Sequence, residues 1–114
     1  MEGCLFCRIV AGEVPSTEVA SDELTFCFRD INPQAPVHVL IIPRRHIDHA
    51  GAIQAGHAPE LEAMFLMATQ VARSEGIYDT GYRLVFNVGE HALNSVPHLH
   101  MHLIGGKQLG WPPG

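Results

Sequence analysis

The sequence predicts an α+β fold, with an antiparallel sheet of about five strands, one long helix and a short N-terminal helix. Several short apolar segments, some of them with a period of two, indicate strands, whereas one long segment has apolar residues at helical spacing. Glycine, proline and asparagine mark the turns between them. The length of 114 residues and the 46% hydrophobic content suit a single domain over 1–114. A dimer interface would help to stabilise so short a domain.

The N-terminal half predicts one short helix and three strands. Residues 4–10 have enough apolar side chains for one helix face, and Gly12 closes this helix. Strands are predicted over 17–20 and 24–28, because turn-forming residues separate these two segments. The segment 37–42 is the most apolar in the chain, so we expect it to form the central strand.

The C-terminal half predicts the long helix and two further strands. The helix over 59–75 begins at Pro59, which suits a first helical turn, and Gly76 ends it. Its stripe of methionine, phenylalanine and small apolar residues predicts packing against the sheet. Strands over 82–89 and 98–104 follow, and a loop over 90–97 joins them.

The last strand carries the residues with the clearest chemistry. His98, His100 and His102 alternate with leucine and methionine, so one face is apolar and the other carries three imidazoles over one site. Packing explains such a row poorly. It suits either a metal centre with three nitrogen ligands or nucleophilic catalysis by one histidine. His38 interrupts the central strand and is a candidate fourth imidazole, although a lone histidine there is ordinarily a hydrogen-bonded core residue.

For several other polar residues, the sequence pattern alone leaves more than one role open. Cys4 and Cys7 form a CxxC pair, which could be a redox motif, half of a zinc site or two small buried side chains. His46 and His49 follow the central strand and could be ligands, although isolated loop histidines are usually solvated. Asp30 could accept a sugar hydroxyl, although a solvated turn residue is the more ordinary interpretation.

Composition excludes several classes of partner. The formal net charge of −5 argues against binding a nucleic acid polymer, which requires a basic surface, but leaves a nucleotide ligand open. No apolar run approaches the roughly 18–20 residues of a membrane span. The chain starts without the basic and apolar segments of a leader peptide. The lack of a leader peptide and the odd number of cysteines, three, together indicate reduced thiols and a cytoplasmic location.

Taken together, the motifs resemble the histidine triad (HIT) family, and within it the Hint branch. The segment 98–104 is similar to the family pattern His-φ-His-φ-His-φ-φ, where φ is apolar. Segments 30–38 and 42–47 and the Trp-Pro-Pro-Gly ending at 111–114 are similar to the Hint branch, and the likeness extends over 6–114. The resemblance implies a HIT-like fold and a homodimer in which the two sheets join and each tail reaches toward the partner's site.

The resemblance further implies a purine nucleoside phosphoramidase. Such an enzyme hydrolyses the P–N bonds of AMP or GMP phosphoramidates, and also aminoacyl adenylates, through a nucleotidyl-histidine intermediate. His100 would be the nucleophile, with the carbonyl of His98 holding its second ring nitrogen. His102 and His38 would donate to the phosphate oxygens in the transition state. Ser95 would hydrogen-bond the phosphate or the leaving amine.

A nucleotide pocket and a zinc site are also implied by the resemblance. Asp30 would accept the ribose hydroxyls, and Asn87 would contact the phosphate region. The residues implied for the purine pocket are Phe6, Ile9, Val14, Phe28 and Ile31, together with Trp111 of the tail. A structural zinc ion, which a subset of bacterial members binds, would be held by Cys4, Cys7, His46 and His98. No redox or organic cofactor is expected.

The loop before the triad departs from the animal Hint pattern. Leu93 replaces a glycine whose backbone approaches the phosphate, and Pro97 lacks an amide hydrogen, which affects the phosphate side and the choice of leaving group. Three alternatives stay open: a dinucleoside polyphosphate hydrolase of the same fold, a nucleotide- or partner-binding module with incidental activity, and a zinc hydrolase with the triad as ligands.

Overall fold

The computed structural model describes residues 3–114 and confirms the α+β prediction. The elements in order are α1 (Leu5–Val10), β1 (Glu18–Ser21), β2 (Thr25–Arg29), β3 (Val37–Pro43), α2 (Ala58–Ser74), β4 (Tyr82–Val85) and β5 (Met101–Gly105). The prediction that no leader peptide begins the chain concerns its first residues, of which 1–2 lie outside the described range. Among the described residues, no helix is long and apolar enough to cross a membrane.

The five strands form one antiparallel sheet in the order β1-β2-β3-β5-β4. Strand β3 is buried along its whole length, as expected for the central strand. In the β3–β5 ladder His38 lies opposite Ile104, and Leu40 lies opposite His102. His38 and His102 are therefore diagonal neighbours on the same face of the sheet.

Each face of the sheet carries one helix. Helix α2 packs on the first face, where Met64, Met67 and Val71 are almost completely buried against side chains such as Val39 and Met101. The predicted helical stripe is correct except at Phe65, which is 49% exposed. Helix α1 covers the opposite face, and this second cluster contains Phe6, Ile9, Phe26, Phe28, Leu40 and Ile42.

Several element boundaries differ from the predicted ones. Strands β1 and β2 each begin one residue later, because the Asp22 carboxylate accepts from the amides of Leu24 and Thr25 and moves the turn to 22–24. Strand β4 ends at Val85 rather than at residue 89, close to the end of its pairing with β5. Apolar alternation alone did not show these ends.

Strand β5 begins at Met101, so the prediction of a strand over 98–104 is wrong for its first three residues. The end of β3 explains this, because Pro43 has no amide hydrogen with which to extend the ladder. The Pro43 carbonyl accepts instead from the side chain of His98, at 2.9 Å. The backbone of Leu99 donates to Ile47 in the loop after β3, at 2.6 Å.

Candidate active site

A cavity of about 370 Å³ opens on the face of the sheet that α1 covers. This volume suits a small-molecule site. The cavity is lined by Leu5, Phe6, Ile9, Phe28, Asp30, Ile31, Leu40, Asn87, Leu93, Ser95, Val96, His100 and His102. Most of the predicted nucleotide contacts therefore come together around two of the triad histidines.

Four of the residues predicted for catalysis or nucleotide binding do not line this cavity. Val14 packs against the apolar cluster behind it, and Trp111 is 84% exposed in the tail. His38 lies behind His102. His98 contacts Cys4 and Cys7 and does not line the cavity, so the predicted row of three imidazoles over one site is wrong. Because the backbone before Met101 is not a regular strand, strict side-chain alternation does not reach His98.

The tautomer of His100 follows from a single contact. Its Nδ1 lies 2.7 Å from the carbonyl oxygen of His98, and a carbonyl can only accept, so Nδ1 carries the proton and donates. In the neutral ring the lone pair is then on Nε2. The ring is 9% exposed and lines the cavity, with the edge-on ring of Phe6 5.2 Å away between centroids. In the neutral form of His100 the unprotonated nitrogen is therefore Nε2, and the carbonyl of His98 fixes the orientation of the ring.

A chain of hydrogen bonds defines the tautomer of His102 in the same way. The amide of Gln34 donates to His38 Nδ1 at 3.0 Å, so neutral His38 carries its proton on Nε2. That nitrogen lies 2.8 Å from His102 Nδ1 and donates to it. The remaining proton of neutral His102 is therefore on Nε2, where it can be donated to a ligand in the cavity.

This chain corrects the predicted role of His38. The resemblance implied a direct donor to phosphate, but the Nε2 proton of His38 is directed at His102, and the ring is 5% exposed. The second oxygen of Asp30 also lies 3.4 Å from His38 Nε2. His38 is consequently a positioning residue that orients His102.

Acidification is expected to destabilise the metal-free protein. Burial lowers the pKa of His102 from 6.5 to about 4, and it lowers the pKa of His38 as well. The unfolded chain therefore binds more protons than the folded chain between these values, so stability is lost as the pH falls from 6.5 toward 4. Protonation of both rings would also place two donors against each other.

Urea unfolding midpoints, measured from about pH 7 to about pH 4 in the presence of a chelator, check this expectation. The variant His102→Gln should reduce the slope of the profile, and the lowered pKa values of His98 and His38 account for the slope that remains. The matched variant His91→Gln, in an exposed loop, should retain the wild-type slope. A wild-type midpoint that does not change over this range would contradict the neutral, buried state of His102.

Asp30 and Asn87 organise the rim of the cavity. One oxygen of Asp30 accepts from the amide of Asn32 at 2.8 Å, which holds the carboxylate at the mouth of the 30–36 loop. The amide group of Asn87 donates to the carbonyl of Ala92 at 2.9 Å and so braces the loop that carries Ser95. This loop contact leaves the carbonyl oxygen of Asn87 as the group that can face a ligand.

Leu93 adopts a left-handed backbone conformation, with φ of 61°. This conformation is uncommon for residues other than glycine. The loop therefore keeps the backbone shape that the expected glycine would permit, at some cost in strain. Because Leu93 is 86% exposed and lines the cavity, it adds an apolar surface at this rim.

A second cluster brings together two thiols and two imidazoles. The ligand atoms of Cys4, Cys7, His46 and His98 all lie within 4.8 Å of one another. The sulfur of Cys4 is 3.2 Å from His98 Nδ1, and that of Cys7 is 3.4 Å from both imidazole Nδ1 atoms. In a tetrahedral zinc site neighbouring sulfur and nitrogen ligands lie about 3.6 Å apart, so the quartet fits the ion.

The outer contacts of both imidazoles support the same conclusion. His46 Nε2 lies 2.8 Å from a carboxylate oxygen of Asp48, and His98 Nε2 lies 2.9 Å from the Pro43 carbonyl. Both partners accept, so both rings carry the proton on Nε2 and direct the Nδ1 lone pair into the cluster. Metal-binding histidines are typically oriented in this way. Burial lowers the pKa of His98 to about 4, which keeps its lone pair available.

The third cysteine takes no part in this cluster. Cys27 is completely buried in the core under α2, and burial raises the pKa of its thiol to about 12. It is therefore an inert core side chain.

Sequence reasoning missed the groups that orient the histidines. The Asp48 carboxylate stands two residues after His46, and this short spacing was a usable signal. The backbone amide of Gln34 and the carbonyl of Pro43 gave no such signal, since every residue has a backbone. Leu5, Leu40 and Val96 also line the cavity without having been predicted there.

Comparison with known proteins agrees with this arrangement. The HIT domain model matches residues 11–109. A 14 kDa zinc-binding protein of Zea mays is 46% identical over 112 residues, which cover 96% of this chain and 87% of that protein. The purine nucleoside phosphoramidase of Escherichia coli (strain K12) is 44% identical over 109 residues, which cover 96% of this chain and 92% of that protein.

Solved structures give the same result. The crystal structure of a HIT family hydrolase from Legionella pneumophila superimposes with a TM-score of 0.96 at 46% identity, and the match covers 98% of this chain and 100% of that one. The match of the family model extends over far more than half of the sequence. The chain belongs to the HIT domain family.

Proposed function

We propose that this chain hydrolyses the P–N bond of purine nucleoside phosphoramidates and the acyl–phosphate P–O bond of aminoacyl adenylates, with His100 as the nucleophile. Membership of the HIT family and similarity to named hydrolases make it a nucleotide hydrolase. The observation that carries the finer proposal is the His100–His98 carbonyl contact, which leaves an unprotonated Nε2 at the cavity. The name of the Escherichia coli relative supports the substrate class.

In the proposed first step, Nε2 of His100 attacks the α-phosphorus, and the P–N bond to the amine breaks. The His98 carbonyl stabilises the positive charge that develops on the attacking ring, because it accepts the Nδ1 proton. His102 Nε2–H donates to a phosphoryl oxygen and so stabilises the negative charge on that oxygen in the transition state. Water then cleaves the nucleotidyl-histidine and restores His100.

The rest of the cavity would orient the nucleotide. The apolar residues of α1 and β2, including Phe6, Ile9 and Phe28, would pack against the purine. Asp30 would accept from the ribose hydroxyls through its carboxylate. The leaving amine must gain a proton to depart, and the hydroxyl of Ser95 lies on the cavity wall, where it could hydrogen-bond this nitrogen or the phosphate.

We also propose that the Cys4, Cys7, His46 and His98 quartet binds a structural zinc ion. The ion would hold together the chain segments that supply its ligands. Because four protein ligands complete a tetrahedral site, no position would remain open for a substrate. The zinc-binding relative from Zea mays supports this assignment. Metal analysis of the purified protein should find one zinc per chain, and Cys27→Ala should retain it.

A homodimer is part of the proposal. Strand β4 lies at one edge of the sheet, and its unpaired backbone groups could continue the sheet into a second copy. The tail residue Trp111 is 84% exposed, which suits a contact with a partner. Sedimentation equilibrium should report twice the 12.5 kDa chain mass.

A trapping experiment tests the proposed reaction. The protein is mixed with an adenosine phosphoramidate and quenched, and the peptides are analysed for AMP attached to His100. Parallel turnover assays compare this substrate with diadenosine polyphosphates. Modification of a different residue would overturn the mechanism, whereas faster cleavage of the polyphosphates would favour the sister activity. Nucleotide binding without turnover of either substrate would favour a binding module.

Replacing His38 with alanine is expected to lower kcat by about a hundredfold with a smaller change in KM. The reason is that His102 loses the donor that fixes its tautomer, so its Nε2 proton is no longer held toward the phosphate. Steady-state kinetics on an adenosine phosphoramidate measure the effect, with the exposed His91→Ala as the control. An equal loss for both variants would contradict the positioning role.

A further inference from the structure

We propose that the metal quartet and the nucleotide cavity are thermodynamically coupled, so that zinc and a nucleotide such as AMP each raise the affinity for the other. This inference rests on the proposed function, because it requires both ligands to bind. The coupling would make the nucleotide affinity of the cavity depend on the supply of zinc, which goes beyond the structural role proposed above for the ion.

Helix α1 links the two sites directly. It has only six residues, from Leu5 to Val10, and so short a helix is marginal without tertiary contacts. Cys4 caps its N-terminus and Cys7 lies in its first turn, and both belong to the quartet. The same helix supplies three residues of the cavity wall, Leu5, Phe6 and Ile9. Whatever holds the cysteines therefore holds this wall.

His98 makes a second link through the backbone. Its side-chain Nδ1 lies in the quartet, and its carbonyl oxygen orients His100. A metal bound to the side chain restrains this residue and hence the carbonyl that holds the nucleophile. The ring of Phe6 adds a third link, because its centroid lies 6.0 Å from the ring of His98 and 5.2 Å from that of His100.

The expected consequence is that both ligands draw on the same conformational entropy, which is lost when α1 becomes ordered. Without metal, only weak contacts between thiols and imidazoles hold Cys4 and Cys7 to His46 and His98. Phe6 and Ile9 still pack in the apolar cluster, so a nucleotide must then complete the ordering of α1 when it binds. With metal bound, α1 is already ordered, so the nucleotide binds more tightly. Linkage requires the nucleotide to strengthen metal binding by the same factor.

Two binding measurements test the coupling. Calorimetric titration with AMP compares zinc-loaded protein with protein kept metal-free by a chelator. Competition with a chromophoric chelator measures zinc affinity with and without saturating AMP. We expect both affinities to rise by roughly fivefold or more, and by equal factors. If both ligands bind but neither alters the other, the coupling is overturned while the proposed function stands. If zinc does not bind, the zinc assignment falls together with the coupling while the proposed hydrolysis stands, and if AMP binds neither form, the nucleotide site falls together with the coupling.

A substitution of a metal-binding residue that lies outside both α1 and the cavity makes the test more specific. His46→Ala removes one quartet member from the loop after β3, and its AMP affinity should match that of metal-free wild type and no longer respond to zinc. Cys27→Ala removes a thiol outside the quartet and should keep the full coupling. Hydrogen exchange should slow at the α1 amides of wild type when zinc is added. Unchanged exchange there would contradict the mechanism.

Discussion

The variant His100→Ala is expected to lose turnover of an adenosine phosphoramidate by about 10⁴-fold or more, because it removes the nucleophile of the proposed covalent intermediate. His100 is the only triad histidine whose unprotonated nitrogen lies at the cavity in the neutral state, since the free nitrogen of His102 carries a proton. Steady-state assays give the rate, and intact-mass analysis after quenching should find no adenylylated protein.

Binding separates this expectation from a general loss of structure. His100→Ala should still bind AMP within a few-fold of wild type, since the proposed ribose and purine contacts would remain. The exposed histidine variant His91→Ala should keep wild-type rates and adenylylation. Adenylylated His100→Ala protein, or turnover near that of wild type, would contradict the assignment of the nucleophile.

Removal of the metal is expected to produce the second large effect, on stability. If free zinc is held at about a hundred times its Kd, the ion stabilises the folded chain by about 2.7 kcal/mol. For a domain of this size that corresponds to roughly 10 °C in Tm. Calorimetric melting with zinc and with excess chelator measures the difference.

Two cysteine variants are matched for this experiment. Cys4→Ala should not respond to added zinc, because it removes a quartet sulfur, and it should melt below metal-free wild type, because it also removes the cap of α1. Cys27→Ala should lose some core packing, yet keep the full zinc response, because its thiol lies outside the quartet. A zinc response in Cys4→Ala equal to that of wild type would overturn the assignment.

The number and order of the elements could be predicted because local periodicity carries this information. The apolar segment 37–42 is the central strand, and the long helix packs its methionines on the sheet, as the pattern indicates. Phe65 departs from the stripe since it lies at the edge of the helix face, 49% exposed. Strand ends were less predictable, because pairing partners and turn hydrogen bonds decide them. Asp22 and Pro43 show this at two turns.

The candidate site was likewise predicted only in part. The resemblance proposed four metal ligands, and the structure brings their ligand atoms within 4.8 Å of one another. It also brings His100, His102 and Asp30 to one cavity. It changes the predicted role of His38, because the backbone amide of Gln34 determines where the proton of that ring points. A residue type shows that a proton exists, but only the neighbouring donors and acceptors show where it lies.

The order of residues along the chain was enough to define the strands, the long helix and the alternating histidines, since these depend on spacing between near neighbours. The three-dimensional arrangement was needed to separate the triad into two sites. His98 turns toward Cys4 and Pro43, whereas His100 and His102 face the cavity. Those partners are 94 and 55 residues away in sequence, and such distant contacts form only when the sheet is assembled.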